Sequence, residues 1–523
     1  MSDVSSLAEK RGRGRDLAAV ALPGLAILLG VALRFYDLGA ESYWVDEVTM
    51  VRVAGDSVES ILQAAQNGRP PVYVLAAHYW LQLFGPSEGT ARALSAVFGS
   101  AALVVTYLVA RELFGRQVGA ITTFLMAVSE FQIYVSQDLR YYSLFLLFVL
   151  LSFLFLVRAE RYGGRGDFAL YAATSILMFY THTYGVFVLA AQGLYLVLRF
   201  LWRWHGLSGV APWFFSLGAV FLAVSPGLYL AFGKTASGSA NVLQWIPDPT
   251  FTKVAATIYK YLLPARELPH LLTVATAAAF FAASTWLFAR RAGEKRWRAA
   301  VQALPTEARR LVAGDGGTLL LVGLWLLFPI AVPLALSMVF GPMFVERYTI
   351  AATPAFYMAL AVGITALRRV VPAHATLGLL AILIAPGLHD YYATDVKEQW
   401  REVAAHVEAE ARPGDAIVFA PGENGALRWT FGHYYRGSTP QCDIPTEATA
   451  REAIAGSLAV CAPDAQRLWL VVRGLPYRVR PYEEYFRDDG HRGGTLVDER
   501  RFTDIAVYLF QQVDSQAAGA SQR

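Results

Sequence analysis

Apolar runs of about 17–23 residues recur along this chain, each long enough to cross a bilayer as a helix. They fall at approximately 17–36, 88–110, 117–135, 143–157, 168–181, 184–202, 213–232, 269–289, 318–340, 349–367 and 374–390. Inside a bilayer a chain must satisfy its own peptide groups, so such runs have to be helices. A further apolar segment, Val72–Phe84, is too short to cross and reads as an interfacial or re-entrant helix. Only 16% of the 523 residues are charged and 55% are hydrophobic, against about 25% charged in a soluble domain. The basic N-terminus (Lys10, Arg11, Arg13, Arg15) leads into 17–36 without a small-residue cleavage site, so that run is expected to stay as a span. The net charge of +4 therefore reads as topology and not as nucleic-acid affinity.

The arginines set the orientation. With the N-terminus inside and 72–84 not crossing, alternate junctions hold Arg111 and Arg116; Arg158, Arg161 and Arg165; Arg199 and Arg203; the basic stretch from Arg290 to Arg310; and Arg368 with Arg369. Basic residues concentrate on the cytoplasmic side of membrane proteins. Were 72–84 to cross, every later cluster would lie outside. The expectation is eleven spans, with the N-terminus in the cytoplasm and the C-terminus outside.

The expected domains are a cytoplasmic tail at 1–16, a membrane domain at 17–392 with an outer first loop at 37–87, an outer domain at 393–513 and a disordered tail at 514–523. The outer domain alternates a charged helix (397–411) with short apolar strands at 416–420, 468–472 and 505–509, and reads as a small α/β fold. The fold class is thus an α-helical polytopic membrane protein with a C-terminal soluble α/β domain. The chain has two cysteines, Cys442 and Cys461. Outside the cytoplasm they would form one disulfide; inside it they would be two free thiols.

Several polar residues stand at outer junctions where an apolar chain has no need of them. "SYWVDEVTMVRVA" (42–54) carries Asp46 and Glu47 in the first loop. "GRPPVY" (68–73) sets Arg69 before two prolines, which stiffen an extended entry to Tyr73. "SQDLRYY" (136–142) supplies Asp138, Arg140, Tyr141 and Tyr142; "YTHTYG" (180–185) supplies His182; "FVERYTI" (344–350) supplies Glu346, Arg347 and Tyr348. Taken singly, each has a plain reading: a solvated loop acid, an arginine snorkelling to headgroups, an aromatic-belt tyrosine. All of them are expected at one face and one depth, and ionisable groups at membrane level point to function. An acid beside several cations and aromatics at a membrane surface suits sugar transfer from a lipid-linked donor. Arginines would hold the leaving phosphate, aromatics would line the sugar, and a carboxylate would take the acceptor proton.

On these residues the chain resembles the GT-C superfamily of integral-membrane glycosyltransferases. It is most similar to the branch of protein O-mannosyltransferases and the bacterial transferase that adds aminoarabinose to lipid A. The matching stretches are "WVDE" (44–47), "RPPVY" (69–73), "FGPSEGTARALS" (84–95), "SQDLRYYSL" (136–144), "ERY" (346–348) and "QWREVAAHV" (399–407) with "ARPGDAIV" (411–418). They cover most of 30–200 and, more weakly, 340–420. The resemblance implies that Asp46 is the catalytic base and that Glu47 orients it or binds acceptor. It also implies that Arg69, Arg140, Arg347 and Tyr348 serve the donor phosphate. Asp138, Tyr73, Tyr141, Tyr142, His182 and Glu346 are the remaining substrate-binding candidates. The implied partners are a polyprenyl-phosphate sugar donor, a lipid, glycan or protein acceptor, and membrane lipids, with no nucleic acid. One displacement with inversion needs a base and no enzymic nucleophile. Some superfamily members hold a divalent ion on carboxylates, and Asp46, Glu47 and Asp138 are the carboxylates that would do so here. Basic residues at the phosphate do that ion's work, so no metal or other cofactor is expected. The compartment implied is a bacterial inner membrane with the site facing the periplasm. Two other readings are a flippase or transporter of a lipid-linked saccharide and a non-catalytic membrane scaffold. The first predicts inverted repeats and midplane polar residues, which the chain lacks; the second leaves the first-loop acids unexplained.

Overall fold

The computed structural model describes residues 21–202, 210–236, 246, 248–263, 316–367, 373–474, 476–487 and 494–511. The expected span at 269–289, the basic stretch 290–310, and the tails at 1–16 and 514–523 lie outside these residues. The chain divides into two compact units. One comprises Met1–Tyr36, Ser57–Trp80 and Ala91–Asp390, and the other comprises Asp37–Asp56, Leu81–Thr90 and Tyr391–Arg523.

The first unit is helical. Among the described residues five helices are long and apolar enough to cross a membrane, or six if one bent pair is a single span: Glu88–Phe114, Tyr142–Tyr162, Ala211–Leu230, Gly317–Phe340, the segment Glu346–Ala366 and the pair Arg116–Val128 with Glu130–Ser136. This is a multi-pass membrane protein. Shorter apolar helices run over Ala21–Phe35, Val72–Phe84 and Gly185–Leu201. Prolines sit inside long helices at 226, 329, 333 and 386, where a membrane helix tolerates them if neighbours satisfy the freed groups. In the core, Phe153 stacks on Trp325 with centroids 3.7 Å apart, and the Trp325 indole N–H donates to the Ala351 carbonyl at 2.6 Å. Near the junctions expected inside, Arg158 pairs with Asp167 at 2.8 Å and Arg199 with Glu160 at 2.6 Å.

The run 117–135, expected as one span, is not straight. Helices Arg116–Val128 and Glu130–Ser136 meet at Ser129 with a 65° bend. A helix end leaves its last carbonyls without partners, and here a buried arginine supplies them. Arg34 is fully buried; it donates to the carbonyls of Met126 (3.2 Å), Ala127 (3.3 Å) and Gly30 (2.9 Å), and to the Ser136 hydroxyl (3.1 Å). A cation at a helix C-terminus also meets the negative end of its dipole. Beyond the break, the Ser129 side chain accepts from the Gln132 N–H at 3.4 Å and donates to the Tyr261 carbonyl at 2.8 Å. The Tyr357 hydroxyl lies 2.9 Å from Ser129 Oγ. A Cβ added at Gly99 would stand 2.2 Å from the Ser136 hydroxyl, so a residue with no side chain is required beside this junction.

The second unit holds a five-stranded mixed sheet: β1 (Asp415–Ala420), β2 (Gln441–Asp443), β3 (Arg467–Arg473), β4 (Thr495–Phe502) and β5 (Ile505–Gln511), in the order β2-β1-β3-β5-β4. β1 is parallel to β2 and β3, while β5 is antiparallel to β3 and β4. The helices Ala426–Tyr434 and Arg451–Cys461 lie in the crossover from β1 to β3. Between their polar ends the inner strands are apolar because both faces are covered. Ala416, Val418, Leu468, Leu470, Tyr508 and Phe510 fill one core, and Ile417, Phe419, Trp469, Val471, Val507 and Leu509 fill the other. Trp400, Val403 and Val407 of helix Trp400–Glu410 pack in the second core, together with Val45 of the first-loop helix Val45–Gly55. Cys442 and Cys461 are joined in a disulfide.

At the strand starts Arg467 holds Asp415 through two contacts of 2.8 and 2.7 Å, and the Trp469 indole N–H adds a third at 2.9 Å. Burial raises a carboxyl, but these bonds and the Arg412 N–H outweigh it and hold Asp415 below its ordinary 3.8. A depressed folded-state value stabilises above the unfolded one and is lost as pH falls through the folded one.

Two predictions follow from this architecture. Arg34→Leu strands two buried carbonyls, so the solubilised protein should lose about 3 kcal/mol of stability; an unchanged thermal midpoint would contradict the capping role. The difference in midpoint between wild type and Asp415→Asn should be fully present at neutral pH and shrink below 3.8. A difference that persists unchanged in acid would contradict the ion-pair account.

Candidate functional site

In the first unit the sequence "SQDLRYY" forms the turn between helices Glu130–Ser136 and Tyr142–Tyr162. Gln137 fixes the turn by donating to the carbonyls of Leu33, Arg34 and Tyr36. Asp138 is fully buried at its base, and the Arg140 N–H donates to the Asp138 carbonyl at 2.6 Å. The Arg140 guanidinium lies over the Tyr141 ring, 4.7 Å from its centroid, and donates to the Tyr141 hydroxyl at 3.1 Å. Tyr73 enters from helix Val72–Phe84; its hydroxyl shares a hydrogen bond with Ser95 at 2.7 Å, and Ser95 donates to the Arg140 carbonyl.

His182 stands at the centre of this group. It follows helix Arg165–Thr181, is buried, and its Nδ1 accepts the Tyr184 N–H at 3.0 Å. Its ring is 4.7 Å from Tyr141, 4.6 Å from Tyr348, 6.3 Å from Tyr142 and 5.2 Å from Phe145. Tyr348 opens the segment 346–352 together with Glu346 and Arg347. The Arg347 guanidinium lies 6.0 Å from the centroid of Tyr142. Thus Tyr73, Arg140, Tyr141, Tyr142, His182, Arg347 and Tyr348 come from four separate stretches of sequence into one aromatic and cationic cluster. Glu346 is instead paired with Lys260 at 2.9 Å. Arg69 is exposed ahead of its two prolines. Tyr184 and Lys260 were not singled out from sequence. Tyr184 was visible in "YTHTYG", and Lys260 ends the amphipathic helix Phe251–Lys260.

Asp46 and Glu47 belong to the second unit, in the first turn of helix Val45–Gly55. The two acids differ sharply. Glu47 is fully buried and bonded to Lys397 Nζ at 2.8 Å, whereas Asp46 is partly exposed. Glu47 also accepts the Trp44 N–H at 3.4 Å. Glu398 accepts the Val45 N–H at 3.3 Å and the Trp400 indole N–H at 2.6 Å, and pairs with Arg473 at 2.7 Å. Arg473 also pairs with Glu423 at 2.8 Å. Burial works against the Arg473 charge; Glu398, Glu423 and Asp46 outweigh it and raise its pKa. Further along, Arg401 bonds Glu88 at 2.7 Å and the Ala40 carbonyl at 3.0 Å. The stretch "KEQWR" (397–401) is therefore built on the first-loop segments.

No cofactor is established. Among the described residues, the group of His, Cys, Asp and Glu side chains close enough to share an ion is His406, Glu410 and Asp498, in the second unit. His406 lies 3.1 Å from Asp498 and 3.8 Å from Glu410, distances that a side chain packed between two carboxylates gives without an ion.

Comparison with known proteins adds a family match and a fold. Residues 68–230 match the family model described as dolichyl-phosphate-mannose-protein mannosyltransferase. The structure is similar to that of ArnT from Cupriavidus metallidurans in the apo state, at 12% identity over 94% of this chain and 98% of that chain, with a TM-score of 0.53. ArnT bound to undecaprenyl phosphate gives 13% identity over 94% and 98%, with a TM-score of 0.49. The Archaeoglobus fulgidus oligosaccharyltransferase in complex with Zn and sulfate gives 15% identity over 93% and 72%, with a TM-score of 0.46. No match was found among curated proteins by sequence. The chain thus shares the fold of ArnT, and its residues 68–230 carry the similarity to the dolichyl-phosphate-mannose-protein mannosyltransferase family.

Proposed function

We propose that the chain moves a sugar from a polyprenyl-phosphate donor to an acceptor hydroxyl at the outer face of a bacterial inner membrane, with inversion at the anomeric carbon. The observation that carries this reading is the cluster around His182, where two guanidiniums lie over tyrosine rings at the ends of apolar helices. Guanidiniums suit a phosphate through paired, charge-assisted hydrogen bonds. Tyrosine faces suit the ring of a sugar, and apolar helices suit a prenyl chain. The family description over residues 68–230, a dolichyl-phosphate-mannose enzyme, supports a donor of this class.

In the proposed step Asp46 accepts the acceptor hydroxyl proton as its oxygen bonds the anomeric carbon. The bond from that carbon to the phosphate oxygen breaks, and its electron pair leaves on polyprenyl phosphate. Arg140 and Arg347 neutralise the charge that develops there, with Arg69 and Tyr348 as further phosphate contacts. Tyr73, Asp138, Tyr141, Tyr142, His182 and Glu346 shape the donor and acceptor sites. Glu47, buried against Lys397, serves by holding the turn that carries Asp46. No metal is required, because the guanidiniums supply the positive charge. The C-terminal domain is read as periplasmic and the N-terminus as cytoplasmic. The Cys442–Cys461 bond suits an oxidising compartment, and the basic junctions suit the opposite side.

Two outcomes are expected in a transfer assay on purified protein. Asp46→Asn, nearly isosteric, should lower kcat by about 10²–10⁴-fold, the range for a lost general base; normal turnover would remove Asp46 from that role. Arg140→Ala and Arg347→Ala should each weaken donor binding by about tenfold or more, the worth of a charged hydrogen bond, and leave the acceptor KM unchanged. Unaltered donor affinity in both would refute the phosphate assignment.

A further inference from the structure

A first-loop helix that carries a catalytic base has to be fixed by something, and residues 42–47 are fixed from the far end of the chain. An isolated helix start leaves four N–H groups without partners, and a local Ser, Thr, Asp or Asn ordinarily caps them. Position 44 here is a tryptophan, which cannot accept such a bond. The carboxylates that take these groups are Glu47, for the Trp44 N–H, and Glu398, for the Val45 N–H across 353 residues of sequence. The Ser42 hydroxyl donates to the Glu398 main-chain carbonyl at 2.7 Å. Lys397, the neighbour of Glu398, holds Glu47, and the two side chains are 2% and 0% exposed. Both sides of Asp46 are thereby tied to two consecutive residues, while Asp46 itself stays partly exposed.

A buried ion pair is a poor source of net stability, because the desolvation of both charges offsets their attraction. An apolar pair of the same volume would hold the fold as well. What the ion pair adds is direction: Lys397 fixes the Glu47 carboxylate, and that carboxylate fixes the Trp44 N–H, two residues before Asp46. We propose that Lys397 is a positioning residue for sugar transfer, acting through Glu47 to set the turn that carries Asp46. This rests on Asp46 as the general base. Lys397 touches no reacting atom; it acts only through the geometry of residues 44–47. A displacement of about 1 Å in a catalytic group can cost on the order of 10²-fold in rate.

The test uses the full chain in detergent, with wild type, Lys397→Met, Lys397→Arg and the double variant Lys397→Met/Glu47→Met. Two readouts are taken: transfer kinetics per folded molecule, and hydrogen–deuterium exchange of the amides at 42–50, which needs no activity. Lys397→Met should lower kcat by about 10–100-fold with donor KM little changed, and amide exchange at 44–48 should quicken. Lys397→Arg, which keeps the charge, should recover most of both. The double variant, with no unpaired buried charge, should regain the wild-type thermal midpoint yet keep the lowered kcat. A wild-type kcat in Lys397→Met, or unchanged exchange at 44–48, overturns the proposal. Recovery of kcat together with the midpoint in the double variant overturns it too, and leaves Lys397 a purely structural residue. If Asp46→Asn turns over normally, the base assignment fails instead, and the exchange data alone then report what Lys397 does to the turn.

Discussion

A peptide group in the hydrocarbon core has no water to bond, so every interruption of a membrane helix needs a partner from elsewhere in the protein. The break at Ser129 is where this chain meets that demand. Arg34 takes the carbonyls stranded at the end of helix Arg116–Val128, and Ser129, Tyr261 and Tyr357 bond one another at the break. The bend turns the following short helix into the "SQDLRYY" turn, from which Arg140, Tyr141 and Tyr142 project. The cationic and aromatic cluster around His182 depends on that turn, and the turn depends on a buried guanidinium contributed by the first helix.

The second unit solves a related problem differently. Its sheet is apolar on both faces, and Val45 of the first-loop helix shares a core with β1, β3 and β5. Hydrophobic packing carries no direction of its own, so the charged network of Glu47, Lys397, Glu398 and Arg473 sets the angle of that helix. Asp46 sits within this network's field, since its carboxylate is among the charges that raise the Arg473 pKa. Packing holds the segment and hydrogen bonds aim it.

Much of this was legible in the sequence. Apolar runs announced the membrane helices, and alternating short strands announced the α/β tail: β1, β3 and β5 cover 416–420, 468–472 and 505–509. Short polar motifs picked out residues that the fold gathers around His182, although the histidine itself had only its place at a hairpin tip to recommend it. The bend at Ser129 left only the polar Ser129, Glu130 and Gln132 as a mark in an otherwise apolar stretch, and its supports were hidden because Arg34 and Tyr357 lie 92 and 228 residues from the groups they bond. The different fates of Asp46 and Glu47 were hidden for the same reason. Adjacent acids look alike until Lys397, 350 residues on, buries one of them. Lys397 and Glu398 stood beside the "QWREVAAHV" motif in plain view, but a motif gives no pairing.

The central claim is that the bond between sugar and phosphate is broken, and a doubly labelled donor tests it most directly. Purified protein in proteoliposomes would be given polyprenyl-phosphate sugars carrying one label in the sugar and another in the prenyl chain, together with a membrane extract as the source of acceptor. Sugar transfer predicts that, for one sugar, the labels separate: the sugar label moves to an acceptor, and an equal amount of polyprenyl phosphate is released. Labels that cross the bilayer together, with the donor intact, would contradict the account and identify a lipid-saccharide transporter.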